Sequence, residues 1–242
     1  ERMTTQLPYG YIGEVLRADL TNKTVTIEQP DDTIYRRYLG GGALASYYLL
    51  RELPLGADPM GPDNLLVFAT GPVSGSPVAG TSRFTIAAKS PLTGGYGEAE
   101  AGGFWGAELK FAGFDAVVIS GRCSHPAYLW VHDGKAEIRD ASALWGKTTR
   151  EVEELVRSEL GDSRIRVAQT GPAGENLVRY ACVLNECKHA NGRTGMGAVM
   201  GSKNLRAIAV RGEHKPEFRD DAGVLAIAKW FAGNWRSNPA NN

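Results

Sequence analysis

An α+β fold with mixed β-sheets, duplicated within one chain about a pseudo-twofold axis, is what this 242-residue sequence predicts. Three observations lead there. Segments with strand-like alternation outnumber helical ones. Short hairpins stand beside longer crossovers, which mixes strand directions. The tripeptide Thr70-Gly71-Pro72 returns as Thr170-Gly171-Pro172, each time after a helix and a strand and before a strand and a glycine-rich segment.

The elements follow in order. Tyr11 to Gln29 alternates as two strands around an Asn22-Lys23 turn. Leu39 to Pro54 reads as a helix with a glycine-rich entry, stopped by Pro54. LLVFATGP is a buried strand running into a turn, and SRFTIAAKSPLTGG a second strand that ends at proline. A glycine-rich loop, Gly94 to Gly106, closes this half. The second half opens as a strand meander, FDAVVISG, AYLWVHDG and KAEIRDA, between Phe114 and Ala141. Lys147 to Gly161 is an amphipathic helix with Val152, Leu155, Val156 and Leu160 on its apolar side. IRVAQTGP then matches LLVFATGP, and VRYACVLN stands where SRFTIAAK stood. The glycine-rich stretch His189 to Asn204 and the strand LRAIAVRG complete the repeat. HKPEFRDD follows as a polar, proline-broken linker. The last segment begins an apolar helical pattern with Trp230, Phe231 and Trp235. The expected organisation is a base domain over 1–212 and, over 213–242, a linker with the start of a following helical domain, the chain being the leading part of a longer protein.

Composition narrows the function. Lys plus Arg and Asp plus Glu number 27 each, so no basic excess speaks for nucleic acid or an anionic membrane. No apolar run approaches the ~20 residues of a membrane span, and the first ten residues lack a secretory core. Cys123, Cys182 and Cys187 form neither a disulfide framework nor a metal-ligand pattern, which points to a reducing cytoplasm. The 30 glycines are roughly 12% of the chain against a usual ~7%, and they cluster between strands, so they need a structural cause.

HANGRTGMGAVMGSKN carries four of them, Gly192, Gly195, Gly197 and Gly201, with Arg193 and Lys203. Bare backbone beside cations suits an anion such as phosphate. The P-loop spacing fails, since three residues separate Gly197 from Gly201 and Ser202 precedes Lys203. Gly195, Gly197 and Gly201 give GxGxxxG rather than the dinucleotide fingerprint, and lie late in the chain.

Longer runs resemble the N-terminal domain of the tungsten-containing aldehyde:ferredoxin oxidoreductases. They are LGGGALASYYLL, ATGPVSGSPVAGTSRF, AKSPLTGGYGEAEAGGFWGAELKFAGFDAVVISG, EIRDASALWGK, TGPAGENLVRYACVLNE and HANGRTGMGAVMGSKNLRAIAVRG, spanning about Tyr9 to Gly212. The resemblance implies two sheets about a pseudo-twofold axis, forming the base for a tungsten bis-pterin cofactor (tungstopterin) whose phosphates share a magnesium ion. One glycine-rich loop would then serve each pterin half, bare because the cofactor lies on its backbone. Position by position, Arg83 matches the arginine between pterin and iron–sulfur cluster. Glu100 and Ala190 match the positions whose main-chain carbonyls reach magnesium. Ala101 and Gly102 continue the first loop, and His189, Gly192 and Arg193 match pterin-contacting positions of the second. Glu100 stands where asparagine is expected, and His189 where some members carry arginine. A main-chain ligand survives the first change, while the carboxylate alters nearby polar contacts.

The implied reaction oxidises an aldehyde to a carboxylic acid, with electrons passing through a [4Fe–4S] cluster to ferredoxin or another electron-transfer protein, in a homo-oligomer. The cluster ligands and the substrate cavity are expected on a C-terminal part beyond this chain, so the fragment alone is expected to be inactive. Two alternatives stand beside this: a related tungsten enzyme reducing an aromatic acyl-CoA, and a metal-free phosphate-binding or structural module. The plainer readings of single residues are a surface role for Arg83, loop solvation for Arg193, and structural or general phosphate-facing cations at Lys89 and Lys203. His125, His132 and His214 read as surface residues, and Glu98 with Glu100 as an acidic pair without a partner for catalysis.

Overall fold

The computed structural model describes residues 7–239. Residues 1–6 and 240–242, which belong to the expected base domain and tail, lie outside the described residues.

The hairpin β1 (Val15–Asp19) and β2 (Thr24–Glu28) closes as the sequence predicts, with the Asp19 carboxylate accepting the Thr21 and Asn22 amides at 2.9 and 3.2 Å. A short helix that sequence patterning missed, α1 (Asp32–Tyr38), precedes α2 (Gly41–Glu52). Gly40 is needed at the entry to α2, because a Cβ there would meet the Thr70 carbonyl oxygen at 2.4 Å. β3 (Leu66–Thr70) is buried along its whole length. β4 (Phe84–Lys89) pairs with β5 (Tyr96–Ala101), which is followed by α3 (Trp105–Phe111) and β6 (Ala116–Ser120). The expected Gly94–Gly106 loop is therefore mostly strand and helix start. Gly97, Ala99 and Ala101 face inward and Glu98 and Glu100 outward, a period of two carried by residues too small to look strand-like.

The second half runs β7 (Ala127–His132), β8 (Lys135–Asp140), α4 (Thr149–Leu160), β9 (Arg166–Thr170), α5 (Pro172–Glu175), β10 (Val183–Asn185), β11 (His189–Asn191), α6 (Met196–Ser202) and β12 (Leu205–Arg211). A capping box between Thr148 and Glu151 starts α4, and Gly161 at φ +73° ends it. Val152 and Val156 bury as expected, whereas Leu155 turns outward.

One sheet has the order β2-β1-β6-β3-β4-β5 and the other β8-β7-β12-β9-β10-β11. In each, the first strand of the hairpin is parallel to the last strand of its half, and every other pairing is antiparallel. The duplication is thus complete, strand for strand. It also corrects the expected meander. FDAVVISG is β6, the counterpart of β12, and completes the first sheet between β1 and β3 instead of opening the second half.

The inner faces of both sheets share one core, in which Leu16, Phe68 and Phe84 of the first half meet Leu129, Ile208 and Val210 of the second. α3 and α6 lie between the sheets and touch strands of both. Trp105 of α3 donates its indole N–H to the Ile208 carbonyl of β12 at 3.0 Å. The outer faces are covered by α1 and α2 on one side and by α4 on the other. Beyond β12, residues 213–220 lie on the first half, with the His214 amide donating to the Phe111 carbonyl at 2.9 Å and the Glu217 carbonyl accepting from Gly10 at 2.8 Å. α7 (Asp221–Asn234) follows and has no buried residue. Among the described residues no helix is long and apolar enough to cross a membrane.

Candidate functional site

Strand register places the residues of interest. Thr70 and Thr170 end equivalent strands, so the rung Glu100–Thr85–Ala69–Ala116 of the first sheet corresponds to Ala190–Leu184–Gln169–Ala207 of the second. Glu100 and Ala190 hold the same position in the two halves. One residue on, Ala101 corresponds to Asn191, and Gly102 to Gly192. β5 and β11 are edge strands that meet through side chains. Asn191 Nδ2 donates to the Ala99 carbonyl at 2.9 Å, Thr194 Oγ1 to Glu98 at 3.0 Å and Asn185 Nδ2 to Gly102 at 3.2 Å. Among the described residues no side chain of the second half hydrogen-bonds to Glu100.

Two clefts open along this seam. The smaller, about 450 Å³, is lined by Arg83, Glu98, Ala99, Glu100, Ala190, Gly192 and Arg193. The larger, about 1010 Å³, has Arg83, Gly102, Gly103, Phe104 and His189 on one side and the 75–80 loop and residues 215–218 on others. Arg83 stands on the ridge between them. Its Nε donates to Glu100 Oε2 at 3.0 Å, and its two terminal nitrogens have no partner among the described residues. Arg193 likewise makes no ion pair or hydrogen bond there. Ala101 is buried on β5 and lines neither cleft. Of the eight residues singled out from sequence, the smaller cleft collects Arg83, Glu100, Ala190, Gly192 and Arg193, and the larger adds Gly102 and His189.

The glycines divide in a way sequence did not foresee. A Cβ at Gly195 would meet the Arg179 oxygen at 2.0 Å, at Gly197 the Cys182 oxygen at 2.3 Å, and at Gly201 the Gly174 oxygen at 2.0 Å. Those three are bare because α6 presses on its own half's loops. Gly192 and Gly102 are open, with nothing nearer than Ala190 Cβ at 3.9 Å and His189 Nδ1 at 3.8 Å.

The lysines are structural. Lys203 is fully buried and donates to the carbonyls of Pro62, Asn64 and Gly121, and burial pushes its ammonium down to about 8. Lys89 donates to Ala57 O at 2.6 Å. Glu98 accepts the Tyr96 hydroxyl at 2.8 Å, and no histidine bonds to it or to Glu100. His125, His132 and His214 line neither cleft. All three cysteines are free, and burial with a bond to Glu153 raises the Cys187 thiol. No group of three or more His, Cys, Asp or Glu among the described residues could hold a metal ion. The smaller cleft thus brings together two arginines, two glutamates, the open Gly192 and symmetry-equivalent backbone positions, with no proton-transfer pair among the described residues. Sequence reasoning passed over Asn185, Glu186, Asn191 and Thr194, which fasten the seam.

The family model for the aldehyde ferredoxin oxidoreductase N-terminal domain matches residues 15–212. The chain belongs to this family. The tungsten-containing aldehyde ferredoxin oxidoreductase of Pyrococcus abyssi is 45% identical over 221 residues, covering 91% of this chain and 36% of that protein. Its Pyrococcus horikoshii namesake is 42% identical over 231 residues, covering 96% and 38%. Among solved structures, the active site complex BamBC of benzoyl coenzyme A reductase, in complex with 1,5-dienoyl-CoA, matches with a TM-score of 0.92 and 34% identity, over 97% of this chain and 36% of that one. The chain thus spans little more than a third of the relatives it matches. As an aldehyde ferredoxin oxidoreductase N-terminal domain it has the two mixed six-stranded sheets the resemblance implied.

Proposed function

We propose that this chain is the cofactor-seating part of a cytoplasmic tungsten enzyme that oxidises aldehydes to carboxylic acids and passes the electrons to ferredoxin. The observation that carries the reading is the equivalence of Glu100 and Ala190. A ligand with two like halves joined through one ion needs two matching main-chain positions, and the register supplies them at a single cleft. The residues fit such a group: Gly102 and Gly192 are open to close approach, and Arg83 and Arg193 offer unpaired donors to phosphate or pterin.

In this reading the carbonyls of Glu100 and Ala190 hold magnesium. Ala101 and Gly102 seat one pterin, and His189, Gly192 and Arg193 the other. Arg83, which lines both clefts, would stand between the pterin and a [4Fe–4S] cluster expected on a C-terminal part of the full-length protein. When bound, the tungsten centre supplies two-electron redox chemistry, an aldehyde and water giving a carboxylic acid, two protons and two electrons. The protein's own share is to bind, orient and balance charge. Glu100 brings a carboxylate to the phosphate-facing cleft, and its bond to Arg83 offsets that charge. The test is tungsten and pterin content of the full-length protein together with aldehyde-dependent ferredoxin reduction. Residues 1–242 alone should show no such turnover. Aromatic acyl-CoA reduction is the second reading, supported by the likeness to the benzoyl coenzyme A reductase complex. Reduction of an aromatic acyl-CoA and no turnover with aldehydes would favour it, and a full-length protein without metal would leave a phosphate-binding module.

A further inference from the structure

We propose that Glu186 is a positioning residue that sets the Gly102–Phe104 turn at the larger cleft from the opposite half of the fold. The proposal rests on the reading of that cleft as part of a cofactor site.

The three residues 186–188 join β10 to β11, with Asn185 paired to His189. Glu186 and Cys187 sit consecutively at φ +54° and +50°, a left-handed conformation that L residues with a full side chain rarely adopt. Neither is the glycine or asparagine that would make such a turn easy. The turn is instead held from outside. Cys187 Sγ reaches Glu153 Oε2 of α4 at 3.3 Å. Glu186 Oε1 accepts the Phe104 amide at 2.7 Å, a short charge-assisted bond from a carboxylate only 11% exposed. Arg166 lies 4.0 Å from the same oxygen and 4.9 Å from the centre of the Phe104 ring.

The gripped segment has little freedom left. Gly103 is at φ +91°, and a Cβ on it would fall 2.3 Å from Asn185 Oδ1, 2.8 Å from His189 Cδ2 and 3.2 Å from Glu186 Oε2. Asn185 Nδ2 donates to the Gly102 carbonyl. Carbonyl 102 and amide 104 are therefore both fixed by the β10–β11 turn, and the Phe104 side chain has no means of capping α3 itself.

The internal symmetry gives independent support. Phe104 is the residue before α3 and Gly195 the residue before α6, and Thr194 is the neighbour of Gly195. Thr194, at φ +59°, is held from the first half's own hairpin turn, where Ser90 Oγ donates to the Thr194 carbonyl at 2.8 Å. Each hairpin turn thus clasps the glycine-bearing loop of the other half. The polarity differs: a serine hydroxyl gives to a carbonyl on one side, and a carboxylate takes from an amide on the other.

The test uses the full-length protein with Glu186→Ala and Glu186→Gln. Hydrogen exchange reads the clasp directly. In Glu186→Ala the amides of 103–105 should exchange about tenfold faster or more, while those of Leu205–Arg211 stay protected. Retained tungsten should fall and the reduction potential of the centre should shift. Glu186→Gln keeps an oxygen acceptor and should restore both. Unchanged exchange at 103–105, or a rise that includes Leu205–Arg211 equally, overturns the proposal. So does faster exchange at 103–105 with tungsten and potential at wild-type values. Wild-type protein without tungsten would overturn the cofactor reading, and with it the site role of Glu186, while exchange still decides whether the clasp exists.

Discussion

Replacing Arg83 by lysine in the full-length protein separates a functional arginine from a surface one. The fold should not notice. The Arg83 and Glu100 side chains are 56% and 52% exposed, and an ion pair that open is worth about 0–1 kcal/mol. The melting temperature should therefore move by no more than about 4 °C. The site should notice if the proposed role holds, because the Nε–Glu100 bond leaves both terminal nitrogens without a hydrogen-bond partner among the described residues. Lysine keeps the charge and loses the fork. A charge-assisted hydrogen bond is worth roughly 1.5–3 kcal/mol. Lost wholly at the rate-limiting step, it slows turnover about 10- to 150-fold. The assay is steady-state ferredoxin reduction by the variant, alongside tungsten content and the cluster's reduction potential. Wild-type turnover with an unshifted potential would show Arg83 to be an ordinary surface residue.

Three further outcomes are expected. Gly192→Ala should fold normally yet retain less tungsten, whereas Gly197→Ala, whose new methyl meets the Cys182 carbonyl, should cost about 1–3 kcal/mol by denaturant unfolding. Equal stability of the two variants would undo the division of the glycines drawn above. Glu100→Gln preserves the main-chain carbonyl and should keep magnesium and tungsten at wild-type stoichiometry; their loss would mean that the carboxylate itself is a ligand. Lys203 titrates near 8 in the folded chain against an ordinary 10.5, so between those values the unfolded chain binds more protons and stability rises with pH, by at most about 3 kcal/mol. Urea unfolding should show that rise, and Lys203→Met, though less stable, should keep only the part that Lys110, also lowered by burial, contributes.

Much of the architecture was legible because apolar periodicity survives in long elements. LLVFA and the Val152–Val156 stripe bury as their patterns say. β5 escaped because its inward residues are glycine and alanine, small enough to fit under the second half but without the branching that marks a strand. β6 was assigned to the wrong half because pairing partners are set by non-local contacts. Nothing in FDAVVISG says that β1, a hundred residues upstream, lies beside it. For the site, resemblance brought together residues that share clefts. It could not say why particular glycines are bare, since Gly197 and Gly192 look alike until the Cys182 carbonyl is seen against one of them. The clasp at Glu186 left no mark either, because a glutamate in a polar turn is the commonest of surface residues.

The core shared by the two sheets has a consequence for how such a protein could arise. The core between the sheets belongs to neither half alone: Phe68 and Phe84 share it with residues of the second half, and the Trp105 indole finds its acceptor in β12. A lone half would present a six-stranded sheet with one greasy, unroofed face, and the partner best shaped to cover it would be another copy of itself. The duplicated chain is in effect such a dimer with its two protomers spliced end to end. Splicing lets the copies diverge without losing each other, so that one can carry Glu100 where the other carries Ala190. A symmetric homodimer, bound to make every change twice, could never do so.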